Sequence, residues 1–325
     1  MAIFGMNKKD SLDYIDKEGT IEMRGLGMIL IILAHAMGGK SNFVTFFFYA
    51  SAILGVSICF FVSGYGLYKS YISKTQYLKH FLPQKISKIL VPYVILFILV
   101  IVVKFIKDKR LNTDDILHDI LRLQLNGLLL WYLKIQLLCY LLFFLGFHCP
   151  SKYRIASVFI LELIYVIICW KSGAEEYWYN TCLFFPIGLL FAKYENKLLP
   201  IIRVHFTIIG SLLLFVLIFA IIFFKGRMGV SYIIDPLYML SFLILSISFF
   251  RHYTGSFLLH YLGSLSMEVY LVHLLLLQSN VFGIFDASKG YMYLLIIILS
   301  LLLSWPLNCI DNQVAKFFSS KTRFI

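Results

Sequence analysis

Ten stretches of this chain are apolar over lengths that approach the thickness of a bilayer, more than any soluble core can absorb. They fall at about residues 25–42, 43–68, 89–106, 128–147, 155–170, 181–194, 204–224, 230–250, 264–280 and 291–310. Two of them, 155–170 and 181–194, are short against the ~20 residues a helix needs to cross and extend into flanking aromatics such as Trp170 and Trp178. No polar interval is long enough for a soluble domain; the longest are the first 24 residues and the segment 107–127. Composition agrees: 14% of residues are charged, where a soluble domain carries roughly 25%. The expected architecture is all-α, a bundle of about ten transmembrane helices that forms one integral-membrane domain over residues 1–325. No cleavable signal is expected, because residues 1–22 are polar and the first apolar run is a full span.

Orientation follows from Lys and Arg in alternate loops. With the N-terminus inside, the cytoplasmic segments hold 18 of them and the opposite loops 10, which favours both termini in the cytoplasm, as an N-terminal segment 1–24 and a tail 311–325. The net charge of +12 then describes basic loops facing anionic lipid, so membrane lipids are expected as partners and nucleic acid is not. Five of the six cysteines lie inside apolar runs and no C-x-x-C pair exists, so neither a disulfide frame nor a metal site is expected. A multi-pass protein of the cell (inner or plasma) membrane results; a homodimer is compatible with it.

Segment 107–127 reads as a short amphipathic helix on the outer interface, with Thr113 as N-cap and Asp114 and Asp115 in the first turn. It is either a connector or a lip over an external acceptor site. The loop Glu175-Glu176-Tyr177-Trp178-Tyr179 offers rings that can stack on sugars, though an interfacial aromatic belt explains them as well.

Ionisable residues within spans point to function, because charge in hydrocarbon is costly. Lys134, Glu162, Asp235 and Glu268 qualify, with the titratable His35 and His273; Lys134 and Glu162 lie on neighbouring spans and can pair. Arg24 marks the cytoplasmic mouth of the first span, and eleven residues at ~1.5 Å each place His35 roughly 16 Å deeper. Small residues surround it: Ala34, Ala36, Gly38 and Gly39. Taken singly, Arg24 reads as a snorkelling anchor and His35 as an interhelical hydrogen-bond partner. Other features share their setting. The second span carries Ser63-Gly64-Tyr65, where the Ser-Gly pair is expected to break a bulky helix. The loop that follows holds Lys85 and Lys88, three residues apart on one face of the entering helix. The ninth span holds Ser266, Glu268, Tyr270 and His273. Cations at the inner mouth with imidazoles deeper suit an anionic cytoplasmic ligand whose reactive end enters the membrane.

These residues make the chain resemble the integral-membrane acyltransferase family 3, whose members O-acylate cell-surface and secreted glycans. Arg24 and His35, ten residues between them, match the family's opening motif. Phe60-Phe61-Val62-Ser63-Gly64-Tyr65 matches an aromatic stretch ending in S-G-F/Y. Lys85-Ile-Ser-Lys88 before Pro92-Tyr93 looks like the family's R-x-x-R, Leu130-Trp131-Tyr132-Leu133 like its L-W-F/Y-L, and Ser266 through His273 like its late S-x-x-I/V-Y-L-x-H. Two departures stand out: lysines replace paired arginines, which removes bidentate phosphate contacts, and Ser57 stands where many members carry an acidic residue.

The resemblance implies transfer of an acyl group from acyl-CoA, most simply acetyl-CoA, to a glycan or lipid-linked saccharide. It implies donor contacts from Arg24, Lys85, Lys88, Ser63 and Gly64. His35 becomes a general base or a transient acyl carrier, and Tyr270 and His273 orient the acyl group or stabilise an oxyanion. Glu268 can instead hold a lysine at the inner rim. The rival class is a transporter or flippase of glycan intermediates, for which the chain shows no inverted repeats or paired broken helices.

Overall fold

The structure is a computed structural model, and it describes residues 7–8, 15–37, 43–108, 113–125, 128–201, 210–216, 218, 231–277 and 290–321. It is helical. The principal helices are α1 (Lys17–Met37), α2 (Phe43–Ser73), α3 (Phe81–Asp108), α4 (Thr113–Leu121), α5 (Trp131–Phe147), α6 (Arg154–Lys171), α7 (Phe184–Ile201), α8 (Ser231–Phe250), α9 (Phe257–Ser264), α10 (Ser266–Leu277) and α11 (Gly290–Lys321). Two-residue strands are the remaining regular pieces: Asn7–Lys8 pairs antiparallel with Tyr253–Thr254, and Gln124–Leu125 with Leu128–Leu129.

Helices occupy nine of the ten expected spans; most of the seventh, 204–224, lies outside the described residues. Among the described residues, Ser51–Ser73, Tyr77–Ile106 and Leu295–Gln313 are long and apolar enough to cross a membrane by themselves. The described part of the expected ninth span, 264–280, holds α10, which is short; with α9, across an 82° bend at Leu265, it qualifies as one bent pair. α1 falls short for a physical reason, since Lys17, Glu18, Glu22 and Arg24 occupy its first two turns and leave about 13 apolar residues. Ile98, Phe105 and Ile106 on α3, Ile160 and Ile168 on α6, and Leu302 and Trp305 on α11 stand exposed. Apolar surface on this scale belongs in lipid, and the chain is a membrane protein. Its sidedness is testable. With the native cysteines removed, single cysteines placed near Lys74 and near Glu175 are expected to label from opposite faces, position 175 in intact cells and position 74 only after lysis. Labelling of both from outside would overturn the orientation.

The chain folds as two compact units, each assembled from two separated segments: Met1–Tyr77 with Leu145–Ser264, and Leu78–Phe144 with Leu265–Ile325. In the first unit α1 packs on α2 and α9, and α2 packs on α7. These crossings are made through glycine. Gly25 lies against the Leu259 carbonyl and Gly263 against the Ile21 carbonyl; Gly27 and Gly55 face each other; Gly64 meets the Phe185 carbonyl and Gly188 the Phe61 carbonyl. Without a Cβ the backbones approach closely, the usual solution where hydrocarbon offers no hydrophobic drive between helices. The Ser63-Gly64 pair therefore does not break α2, which runs through it uninterrupted. Gly64 is small because α7 crosses there.

In the second unit α3, α10 and α11 pack on one another. The expected interfacial helix within 107–127 is real but shorter, confined to Thr113–Leu121, with Leu117, Ile120 and Leu121 exposed along one side.

Candidate active site

α1 begins at Asp16, whose Oδ1 accepts the Gly19 N–H at 2.8 Å in an N-cap. From there the helix is continuous to Met37. Eleven residues at 100° each return to nearly the same direction, so Arg24 and His35 share one face, three turns and roughly 16 Å apart. Met28 and Ile31 fill that face between them and are buried; Arg24 and His35 are half-buried. The Arg24 charge reaches the buried Cys59 thiol of α2. Among the described residues no acidic side chain pairs with Arg24. Of the small residues expected around His35, Ala34 is buried, while Gly38 and Gly39 lie outside the described residues.

Further along α2, Ser63 is half-buried and Tyr65 is buried in an aromatic seam with Phe61 and Phe191, at centroid separations of 6.2, 5.5 and 6.2 Å. The Tyr65 hydroxyl ends in a polar knot around Glu195 of α7, together with Lys69 and the backbone of Ile15. Glu195 is 2% exposed. It belongs with the buried charges, and so do Glu22, at 1%, and Asp311. The expectation that only Lys134, Glu162, Asp235 and Glu268 are charges within spans is thus corrected. Glu195 escaped because Lys193, Glu195, Asn196 and Lys197 read as a polar loop, whereas α7 continues through them after a kink at Tyr194. Glu22 holds the Gly255 N–H at 2.7 Å.

The second unit gathers two family-like stretches. Tyr132, from the Leu130–Leu133 stretch, packs on Tyr270 with ring centroids 5.2 Å apart, and the Tyr270 hydroxyl hydrogen-bonds to the Tyr132 backbone. Tyr270 in turn meets His273 edge to face at 5.7 Å. His273 is fully buried, and its Nδ1 lies 2.9 Å from the Val269 carbonyl. A carbonyl only accepts, so Nδ1 carries a hydrogen in this contact.

At the start of α10, the buried Glu268 accepts the Asn308 Nδ2 at 2.6 Å, and Lys88 acts electrostatically on both Glu268 and Asp311. The hydrogen-bond partner of Glu268 is Asn308, and no lysine forms an ion pair with it among the described residues. Lys85 lies over the Tyr140 ring at 5.9 Å. The predicted residues divide between the units: Arg24, His35, Ser63 and Gly64 in the first, Lys85, Lys88, Tyr270 and His273 in the second.

In the loop after α6, Glu176–Trp178 forms a 3-10 turn in which the Tyr177 and Trp178 rings lie 5.8 Å apart, and the Trp178 carbonyl accepts the Tyr165 hydroxyl at 3.0 Å. Glu162 is buried and acts electrostatically on Cys182.

No curated protein and no solved structure matches the chain. The family model of an acyltransferase domain matches residues 21–309, from the second turn of α1 to Cys309 of α11, and so takes in Arg24, His35, Ser63, Gly64, Lys85, Lys88, Tyr270 and His273. An arginine and a histidine on one face of α1, an S-G-Y end to an aromatic stretch of α2, and a Tyr270–His273 pair on α10 all lie within that match, and the chain belongs to acyltransferase family 3.

Proposed function

We propose that this acyltransferase moves an acyl group, acetyl in the simplest case, from cytoplasmic acyl-CoA to a hydroxyl of a cell-surface or lipid-linked glycan. The observation that carries the reading is the shared face of Arg24 and His35 on α1, with no acidic partner for Arg24 among the described residues. A cation held in this way suits a phosphate. The extended pantetheine arm of CoA is long enough to bridge the three helical turns between a phosphate at Arg24 and a thioester near His35. His35 takes the proton of the acceptor hydroxyl as its oxygen attacks the thioester carbonyl, and the departing CoA thiolate takes the proton back. Ser63 of the same unit adds a hydroxyl; the likeness of their stretches to the family's motifs assigns Lys85 and Lys88 to the donor phosphates and Tyr270 and His273 to the acyl carbonyl.

Consumption of acetyl-CoA by washed membranes, followed as release of the CoA thiol, separates this reading from a transporter, which leaves the thioester intact. Changing both Lys85→Gln and Lys88→Gln is expected to raise the apparent KM for acetyl-CoA several-fold, and high salt to reproduce part of the effect in the unaltered protein. Unchanged donor dependence would reduce the two lysines to topology signals.

A further inference from the structure

We propose that Glu195 is a positioning residue for the acyl donor, fixing the axial position of α1 and with it the depth of Arg24. The proposal rests on the reading of Arg24 as a ligand of the donor phosphates.

Glu195 reaches α1 through residues distant in sequence. Its Oε1 accepts the Ile15 N–H at 2.8 Å, and the Tyr65 hydroxyl shares its hydrogen between Glu195 Oε1 and the Ile15 carbonyl, the latter at 2.9 Å. Both backbone groups of Ile15 are thereby held from outside the helix. Lys69 closes the other carboxylate oxygen in an ion pair and lies over the Tyr65 ring at 5.4 Å. Ile15 is followed by the N-cap Asp16, so the clamp grips the chain one residue before α1 begins. Arg24 stands nine residues further on, along an unbroken helix.

The rest of the α1 packing is made largely of close backbone crossings, Gly25 on α9 and Gly27 on α2, with Glu22 adding a second polar fixture on the Gly255 N–H at 2.7 Å. An ion pair whose carboxylate is buried and whose lysine is partly exposed adds little net stability, but together with its hydrogen bonds it is satisfied in one geometry only. The knot is the polar fixture at the N-terminal end of α1, where Tyr65 of α2 and Glu195 of α7 both hold Ile15. A shift of α1 carries Arg24 and His35 together, because both ride on the same helix.

The test is a KM-against-kcat separation for acetyl-CoA in washed membranes, with accumulation and thermal stability measured alongside. Tyr65→Phe keeps the ring and its seam and removes one hydroxyl; it is expected to raise KM about tenfold, the scale of one lost hydrogen bond, with kcat little changed. Glu195→Gln and Lys69→Gln are expected to do the same, and Lys69→Arg, which keeps the ion pair, to restore KM. Lowered thermal stability with unchanged KM in Tyr65→Phe would make the knot a staple of the fold and overturn the proposal. Arg24→Gln distinguishes the two levels. If it raises KM while the knot variants do not, the positioning role fails alone. If neither it nor the knot variants alter KM, the donor reading fails and the positioning role falls with it.

Discussion

Replacing His35 with Ala is expected to lower acyl transfer by about 10²–10⁴-fold, the usual contribution of a positioned general base, while the protein accumulates in the membrane as before. The separation of the two effects follows from its place in the helix. His35 is half-buried in the last turn of α1, beyond the Gly25 and Gly27 crossings that hold the helix to its neighbours. Alanine is the best helix former, so the turn itself loses nothing. The kinetic signature separates it from Arg24. Loss of the base lowers kcat, because it acts on the hydroxyl in the transition state, whereas Arg24→Gln raises KM by removing a contact made equally in ground and transition states. Immunoblotting for accumulation and CoA release for turnover check both. Full activity of His35→Ala would end its assignment as the base.

What could be read from the sequence here is what depends on local periodicity. Arg24 and His35 are eleven residues apart in a run that is helical by composition, and the period of the helix alone puts them on one face. The Tyr270–His273 pairing is of the same kind, three residues on one helix. Glu195 was illegible because its partners lie 126 to 180 residues away in sequence, and next to Lys193 and Lys197 a lone carboxylate reads as solvated loop. The helix α9 was illegible for the opposite reason: the ninth span is expected only from 264, and Phe257–Ser264, too short to cross alone, joins α10 through an 82° bend. Gly64 was misread as a helix breaker by a rule that holds in water. Within hydrocarbon a glycine is at least as often the point where a second helix crosses, and only the position of Phe185 tells the two apart.

Gly263→Val is expected to abolish accumulation of the folded protein, and Gly25→Val to do so nearly as completely. At Gly263 a Cβ would fall inside the contact radius of the Ile21 carbonyl, and at Gly25 inside that of the Leu259 carbonyl. Both obstacles are backbone, so no rotamer change relieves them; α1 and α9 must move apart. Overpacking of a well-packed contact typically costs 1–3 kcal/mol, and here it falls twice on one interface, against a total stability of roughly 5–15 kcal/mol. The consequence reaches the site, since Gly25 adjoins Arg24 and any displacement of α1 shifts the cation. Gly66→Ala is the internal control: nothing lies within 4 Å of a Cβ built there, and alanine in a helix interior gains about 0.8–1.0 kcal/mol over glycine. Thermal unfolding of detergent-solubilised protein is therefore expected to show opposite signs, a higher Tm for Gly66→Ala and a collapse for Gly263→Val, although each adds only small apolar groups to a helix. Equal behaviour of the two variants would mean that α1 and α9 do not cross at glycine.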